Sequence, residues 1–347
     1  MSDLMTAALS FVAPLCVTLF VMPRFAHIAT ELGFVDMPGG RKVHQTPKPL
    51  VGGLAMSLGV AFGCLLFVPL NMKGIAGGSM RGFYAASMLL VVIGFFDDFR
   101  EVNHRLKFAA QIIAALLVVY FSRVSLVTFG DLLNIGPIDF PAFGALMTVL
   151  GTVGVINAIN MIDGVDGLAG GVSLVAFAAF SFLSYLDGHS DLMLLCIALC
   201  GALIAFLRYN WYPSKLFMGD AGSLFLGLSA SFISIAITQE PHSTVKPVAP
   251  LLILAVPIAD TLTVMTRRVM QGKSPFYADK THLHHVLMKY GFTKQQTAAI
   301  IIAMTAAFSL LAIAGTVFDI SEYHLFSIFL IYFFSCFVSS FFARTSS

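Results

Sequence analysis

Eleven apolar stretches of about 15–22 residues follow one another along this 347-residue chain, and they decide most of what it can become. A membrane-crossing helix uses about 20 apolar residues, so eleven take about 220 and leave roughly 127 for ten loops and two ends. No separate soluble domain fits. The chain reads as one all-α polytopic membrane domain over residues 1–347. Composition agrees: 11% of residues are charged and the mean hydropathy is +0.89, against about 25% charged in a soluble domain. The N-terminal stretch lacks a basic leader and is followed by further spans, so it is expected to be the first membrane helix rather than a cleaved signal.

Three spans carry specific expectations. The second is placed at 50–70. The third, at 82–96, is short for a bilayer and is expected to begin nearer residue 76, with Arg81 reaching the interface. The ninth, at 248–265, reads as one helix. Sorting the 20 basic residues by alternate loops puts sixteen on one side and four on the other. By the positive-inside bias the richer side is cytoplasmic, with the N-terminus outside and the C-terminus inside.

The 20 basic and 18 acidic residues nearly balance at +2, and no basic tract alternates with aromatics, which argues against a nucleic-acid partner. The five cysteines all fall within apolar stretches without a CxxC pair, so they read as fillers.

Six carboxylates lie at or just within the cytoplasmic ends of spans: Asp97, Asp98, Asp163, Asp166, Asp220 and Asp260. Ionisable groups at membrane depth are costly and tend to face a watery cleft. Each alone could be an interfacial acid or a helix cap; six on one face favour a site. The adjacent Asp97 and Asp98 repel if both ionise and call for a cation or a shared proton. The oxygen-only donors suit a hard divalent ion. Asn157, Asn160, Asp163 and Asp166 recur every three residues and would wind about 180° round an unbroken helix. They can share a site only if the helix breaks, and Gly164 and Gly167 permit that. Glycines flank Asp220 where a span begins, so free N–H groups of a helix start could meet an anion beside it, unless Asp220 is a plain N-cap.

Two cationic segments face these acids. The 267–296 loop holds Arg267, Arg268, Lys273, Lys280, His282, His284, His285 and Lys289. Arginine and lysine suit phosphate oxygens, and histidine adds donors or a proton that titrates near neutrality. Topology signalling, lipid headgroups and a histidine zinc site are the alternatives. The other segment, RKVHQTPKPLVGG at 41–53, is stiffened by prolines. Carboxylates for metal and cations for phosphate on one face point to phosphoryl transfer involving a lipid.

The ordered motifs RKVHQTPKPLVGG, FFDDF, NAINMIDGVDGLAG, NWYPSKLFMGDAGS and RRVMQGKSPFYADKTHLHH resemble the polyprenyl-phosphate N-acetylhexosamine-1-phosphate transferase superfamily. They are most similar to its WecA-like branch, the undecaprenyl-phosphate GlcNAc-1-phosphate transferases. Glu101, where the muramoyl-pentapeptide branch has lysine, and HLHH in place of consecutive histidines mark the departure from that other branch.

The resemblance implies transfer of N-acetylglucosamine 1-phosphate, or another N-acetylhexosamine 1-phosphate, from a UDP-sugar to undecaprenyl or a related polyprenyl phosphate. UMP is released. This would be the first membrane step of a cell-envelope glycan pathway, in the cytoplasmic membrane with the site facing the cytoplasm. Mg²⁺ is the implied cofactor, with Mn²⁺ able to substitute. Asn160 and Asp220 match the metal positions, and Asp97 and Asp98 the pair needed for activity. Asn157, Asp163, Asp166, Asn210, Arg267, His282, His284 and His285 are expected at the nucleotide and sugar phosphate, and Lys48 and Lys107 at the lipid phosphate. The motif-bearing segments are 30–49, 97–107, 157–167, 208–222 and 267–296. In this reading a lipid phosphate oxygen attacks the β-phosphorus, and Asp98 removes a residual proton or orients the nucleophile. A covalent aspartyl-phosphate is the rival route. An ion-coupled transporter is the runner-up from another class, and outer span halves nearly free of ionisable groups count against it.

Overall fold

The computed structural model describes residues 3–37, 46–68, 78–100, 102–240, 243–274 and 281–342. Residues 41–45 of the first cationic segment, with Glu101, Lys280 and Arg344, lie outside them. The described chain is mainly helical. In order it forms α1 (Asp3–Glu31), α2 (Gly52–Phe67), α3 (Arg81–Arg100), α4 (His104–Leu117), α5 (Gly144–Ile162), α6 (Leu168–Leu186) and α7 (Ser190–Asn210). There follow α8 (Gly219–Thr238), α9 (Val248–Ile253), α10 (Ala255–Met270), α11 (Leu283–Lys289), α12 (Lys294–Val317) and α13 (Glu322–Phe342). A two-residue ribbon pairs β1 (Val35–Asp36) with β2 (Lys48–Pro49).

Nine helical segments among the described residues are long and apolar enough to cross a bilayer, so this is an all-α polytopic membrane protein. The second predicted stretch falls on the 16-residue α2, and the ninth is not one helix but α9 and α10, parted at Leu254. Pro257 explains the break: it has no N–H to give the Ile253 carbonyl four residues back, and its ring crowds that carbonyl. The third span differs too. Its helix starts at Arg81, not near residue 76, and runs on through both aspartates to Arg100.

The core is organised round α8, whose apolar window is entirely buried and which packs against α2, α3, α5 and α6. Lipid tails are as apolar as leucine, so helices in a membrane gain by close backbone approach at small residues rather than by hydrophobic burial. The chain supplies these residues where α8 begins. A Cβ at Gly94 of α3 would sit 2.5 Å from Ala221 Cα and 2.7 Å from the Asp220 carbonyl carbon, and one at Gly53 of α2 would strike Gly222. Gly94→Ala is expected to push the start of α8 away from α3, lowering stability by about 1–3 kcal/mol and turnover with it. Gly154→Ala, where the added carbon meets no neighbouring helix within 4 Å, is the matched control in detergent thermal-unfolding and activity assays.

Candidate active site

One end of the bundle collects the C-terminal ends of α3, α5 and α7 and the N-terminal ends of α4, α6 and α8. At its centre the ammonium of Lys107, near the start of α4, lies 2.8 Å from Asp97 Oδ2 and also donates to Asp220 Oδ2. Asp97 Oδ1 accepts the Val102 N–H at 2.7 Å, which ties the α3–α4 link to the same carboxylate. Asn160, on the last turns of α5, donates through Nδ2 to Asp220 Oδ1 (2.6 Å) and Ser223 Oγ (2.7 Å). Both of its amide hydrogens are thereby used, and its oxygen is left as an acceptor.

The two adjacent aspartates have different partners. Asp98 accepts the N–H groups of Asp220 (2.8 Å) and Ala221 (3.3 Å), so it supplies from α3 the acceptors that the first turn of α8 lacks. Asp220 is therefore not a plain N-cap. Its backbone is held by Asp98, which leaves its carboxylate for Lys107 and Asn160.

The predicted break after α5 is present: the helix stops at Ile162 and α6 starts at Leu168. Gly167 takes φ +77° there, and a Cβ on it would lie 2.9 Å from the Trp211 ring, so the turn requires glycine. Asn210 braces it. Its Oδ1 accepts the Gly167 N–H and its Nδ2 donates to the Leu216 carbonyl, each at 2.9 Å, so its amide serves the backbone of the walls. Asp166 accepts the Ser214 N–H at 3.0 Å and lies 3.7 Å from Lys48 Nζ, which itself donates to Ser214 Oγ at 2.6 Å. Lys48 thus pairs with Asp166 rather than joining Lys107.

Asp163 lies in the same turn. Burial, then the charges of Asp220 and Asp166, push its carboxyl up to about 7. An acid whose pKa is raised in the folded protein holds its proton there while the unfolded chain has lost it, so stability falls as pH rises from about 4 to about 7. Going from pH 5 to pH 8 removes this contribution from the metal-free protein, while buried, neutral His284 acts in the opposite direction. The expected signature of Asp163 is therefore that Asp163→Asn shifts the melting-temperature difference between the two pH values in favour of pH 8. An unchanged difference in the variant would remove Asp163 as a contributor.

His282 immediately precedes α11, and His284 and His285 lie in its first turn. His282 Nδ1 lies 2.8 Å from Asp260 Oδ2. His284 rests on the turn, where a Cβ at Gly164 would meet its Nε2 at 2.5 Å. Burial, with the neighbouring His285, holds His284 down to about 3, so it is neutral across the working range instead of titrating near neutrality. Arg267, the remaining predicted cation of this group, is buried near the end of α10.

Sequence reasoning missed Gln111. It is buried, one helical turn below Lys107, and accepts from Asn157 Nδ2 at 2.7 Å; that nitrogen also donates to the Val153 carbonyl at 2.8 Å. A lone amide within apolar α4, four residues after a lysine, was the available signal. Both amides line a cavity of about 280 Å³ with His104, Arg105, Lys107 and Phe108.

The donor set at the centre fits Mg²⁺: the carboxylates of Asp97 and Asp220, the amide oxygen of Asn160 and the Ser223 hydroxyl. Lys107 lying between the two acids shows that the pair attracts a cation. Among the described residues no three His, Cys, Asp or Glu side chains converge as a metal cage. Mg²⁺ needs none, since it commonly uses one or two carboxylates and substrate phosphates. At the opposite end His189 Nε2 lies 3.1 Å from Asp187 and 3.5 Å from Glu240, beside buried Asp191. That end carries more ionisable groups than the sequence suggested.

Fold and site together define a polytopic membrane protein with a charged cleft at one end of its bundle. A model of glycosyl transferase family 4 matches residues 80–238, which hold Asp97, Asp98, Lys107, Asn160 and Asp220. The chain is 33% identical over 314 residues to the probable undecaprenyl-phosphate N-acetylglucosaminyl 1-phosphate transferase of Bacillus subtilis, covering 88% of this chain and 83% of that one. It is also 33% identical over 336 residues to the undecaprenyl-phosphate alpha-N-acetylglucosaminyl 1-phosphate transferase of Pasteurella multocida (95% and 91% covered). To the protein so named in Escherichia coli K12 it is 32% identical over 300 residues (85% and 79%). The chain belongs to glycosyl transferase family 4. The relatives are named as transferases, and the transporter reading is set aside.

Proposed function

We propose that this protein transfers N-acetylglucosamine 1-phosphate from UDP-GlcNAc to undecaprenyl phosphate. The observation that carries the reading is the convergence of Asp97, Lys107, Asn160 and Asp220 on one point at one end of a membrane bundle. That point offers both a cation for an anionic acceptor and oxygens for a divalent ion. The relatives' names supply the sugar and the lipid. In the membrane the apolar passages make eleven spans, α9 and α10 counting as one, with the N-terminus outside and the cleft facing the cytoplasm of a cytoplasmic-membrane enzyme.

Asp220 and Asn160 would hold Mg²⁺, or Mn²⁺ in its place, which when bound neutralises diphosphate charge. Lys107 holds the acceptor phosphate beside the donor, and Lys48, paired with Asp166, orders the nucleotide wall. A lipid phosphate oxygen forms a bond to the β-phosphorus of the donor. The bond from that phosphorus to the bridging oxygen breaks, and the electron pair leaves on UMP. Both oxygens of Asp98 accept backbone N–H groups and those of Asp97 accept from Lys107 and Val102. This favours direct attack, with the pair orienting the site, over an aspartyl-phosphate. Incubation with a panel of UDP-N-acetylhexosamines, followed by mass spectrometry of the lipid fraction, tests the substrate. A lipid diphosphate carrying N-acetylglucosamine is expected; product only from another donor would change the sugar and keep the reaction.

A further inference from the structure

Asp260 is buried within α10, a segment outside the matched family region, and it takes no part in the hydrogen bonds of the cluster around Lys107. A buried carboxylate is costly unless its oxygens are well supplied with donors. Both oxygens here are supplied by the histidine segment: Oδ1 accepts the Leu283 N–H at 2.7 Å, and Oδ2 faces His282 Nδ1 at 2.8 Å. A carboxylate accepts from both, so Nδ1 carries a proton and the ring's remaining freedom lies at Nε2. Leu283 opens α11, so the same side chain fixes the start of that short helix and the orientation of its leading ring. The next histidine is held in step. The His284 ring lies parallel to that of His282, 3° apart in plane and 5.8 Å between centres, and rests on Gly164 of the turn beside Asp163 and Asp166.

We propose that Asp260 is a positioning residue for the transfer reaction: it holds His282 as the Nδ1-protonated tautomer and seats the histidine segment on the 163–167 turn. The proposal rests on the transferase reading. Partners of this kind fix the tautomer and direction of a functional imidazole, and at metal-bound histidines their loss costs about 10–100-fold in affinity or activity.

The test uses the full chain in nanodiscs with UDP-GlcNAc, undecaprenyl phosphate and Mg²⁺. Asp260→Asn keeps the volume but supplies only one acceptor oxygen. It is expected to lower kcat about 10–100-fold and to leave KM for the lipid unchanged. Because Asp260 acts through His282, adding Asp260→Asn to His282→Gln is expected to change nothing further. In ¹⁵N-histidine spectra, with His282→Gln supplying the assignment, the wild-type ring shows Nδ1 protonated and Asp260→Asn shifts it toward the other tautomer. Wild-type kcat in Asp260→Asn, multiplicative losses in the double variant, or lost kcat with an unmoved tautomer would each overturn the proposal. If Asp260→Asn does not fold, the wild-type spectrum decides, and a ring protonated only on Nε2 is the contradicting result. A wild-type preparation silent with every donor would instead fail the transferase reading, while the tautomer result still reports on Asp260.

Discussion

Asp220→Asn is expected to lower UMP release by about 10³-fold in a protein that still folds. The contacts explain the separation of activity from stability. The Asp220 backbone is held by Asp98, and that capping bond survives the substitution. The Asn160 amide can still donate to the remaining side-chain oxygen. What disappears is the negative charge that pairs with Lys107 and would bind a divalent ion. Charge neutralisation is most of what a protein contributes to phosphoryl transfer, so the loss falls on kcat. UMP release and detergent melting temperature, measured on the same preparation, check it. Full activity in the variant would remove Asp220 from the centre.

Lys107→Met is expected to act on both stability and catalysis. It leaves the Asp97 and Asp220 carboxylates facing each other with no cation between them, and like charges at that range disfavour joint ionisation. The side chains of all three keep 14–28% exposure, so solvent softens the penalty, and about 1–3 kcal/mol of stability is expected to go. Turnover is expected to fall about 10²-fold, because the acceptor phosphate loses its counter-charge. Mg²⁺ should protect the variant against heat more strongly than it protects the wild type, since Lys107 no longer competes for the same oxygens. A Mg²⁺ titration followed by thermal unfolding reads this directly. Equal protection of both proteins would show that lysine and metal do not share the acids.

The legible parts of this molecule are those that local sequence controls. The apolar run Leu168–Leu186 is by itself the length of a span, and α6 occupies it. Glycines beside polar residues marked the break after Ile162 and the start of α8, because a left-handed turn or a close backbone approach leaves its signature in the residue type. Asp97 and Asp98, by contrast, look equivalent as neighbours in the chain. In a helix successive residues point about 100° apart, so one meets Lys107 and the other the backbone of α8, and only the packing of three helices assigns which. The same holds for Lys107, whose partners are 10 and 113 residues away, and for Lys48, which meets Ser214 and Asp166 instead of the lysine-centred cluster. The divided ninth span was hidden by unbroken hydropathy, although Pro257 carried the reason for it.

Transfer of a sugar phosphate to a lipid phosphate is the reaction proposed for this cleft. Its most direct test is UMP release by the purified wild-type protein given UDP-GlcNAc, with undecaprenyl phosphate and Mg²⁺ each supplied or withheld and with EDTA as a further arm. UMP that forms only when lipid and metal are both present is the predicted result. UMP formed equally without the lipid, or none from any UDP-sugar by a folded preparation, would contradict it.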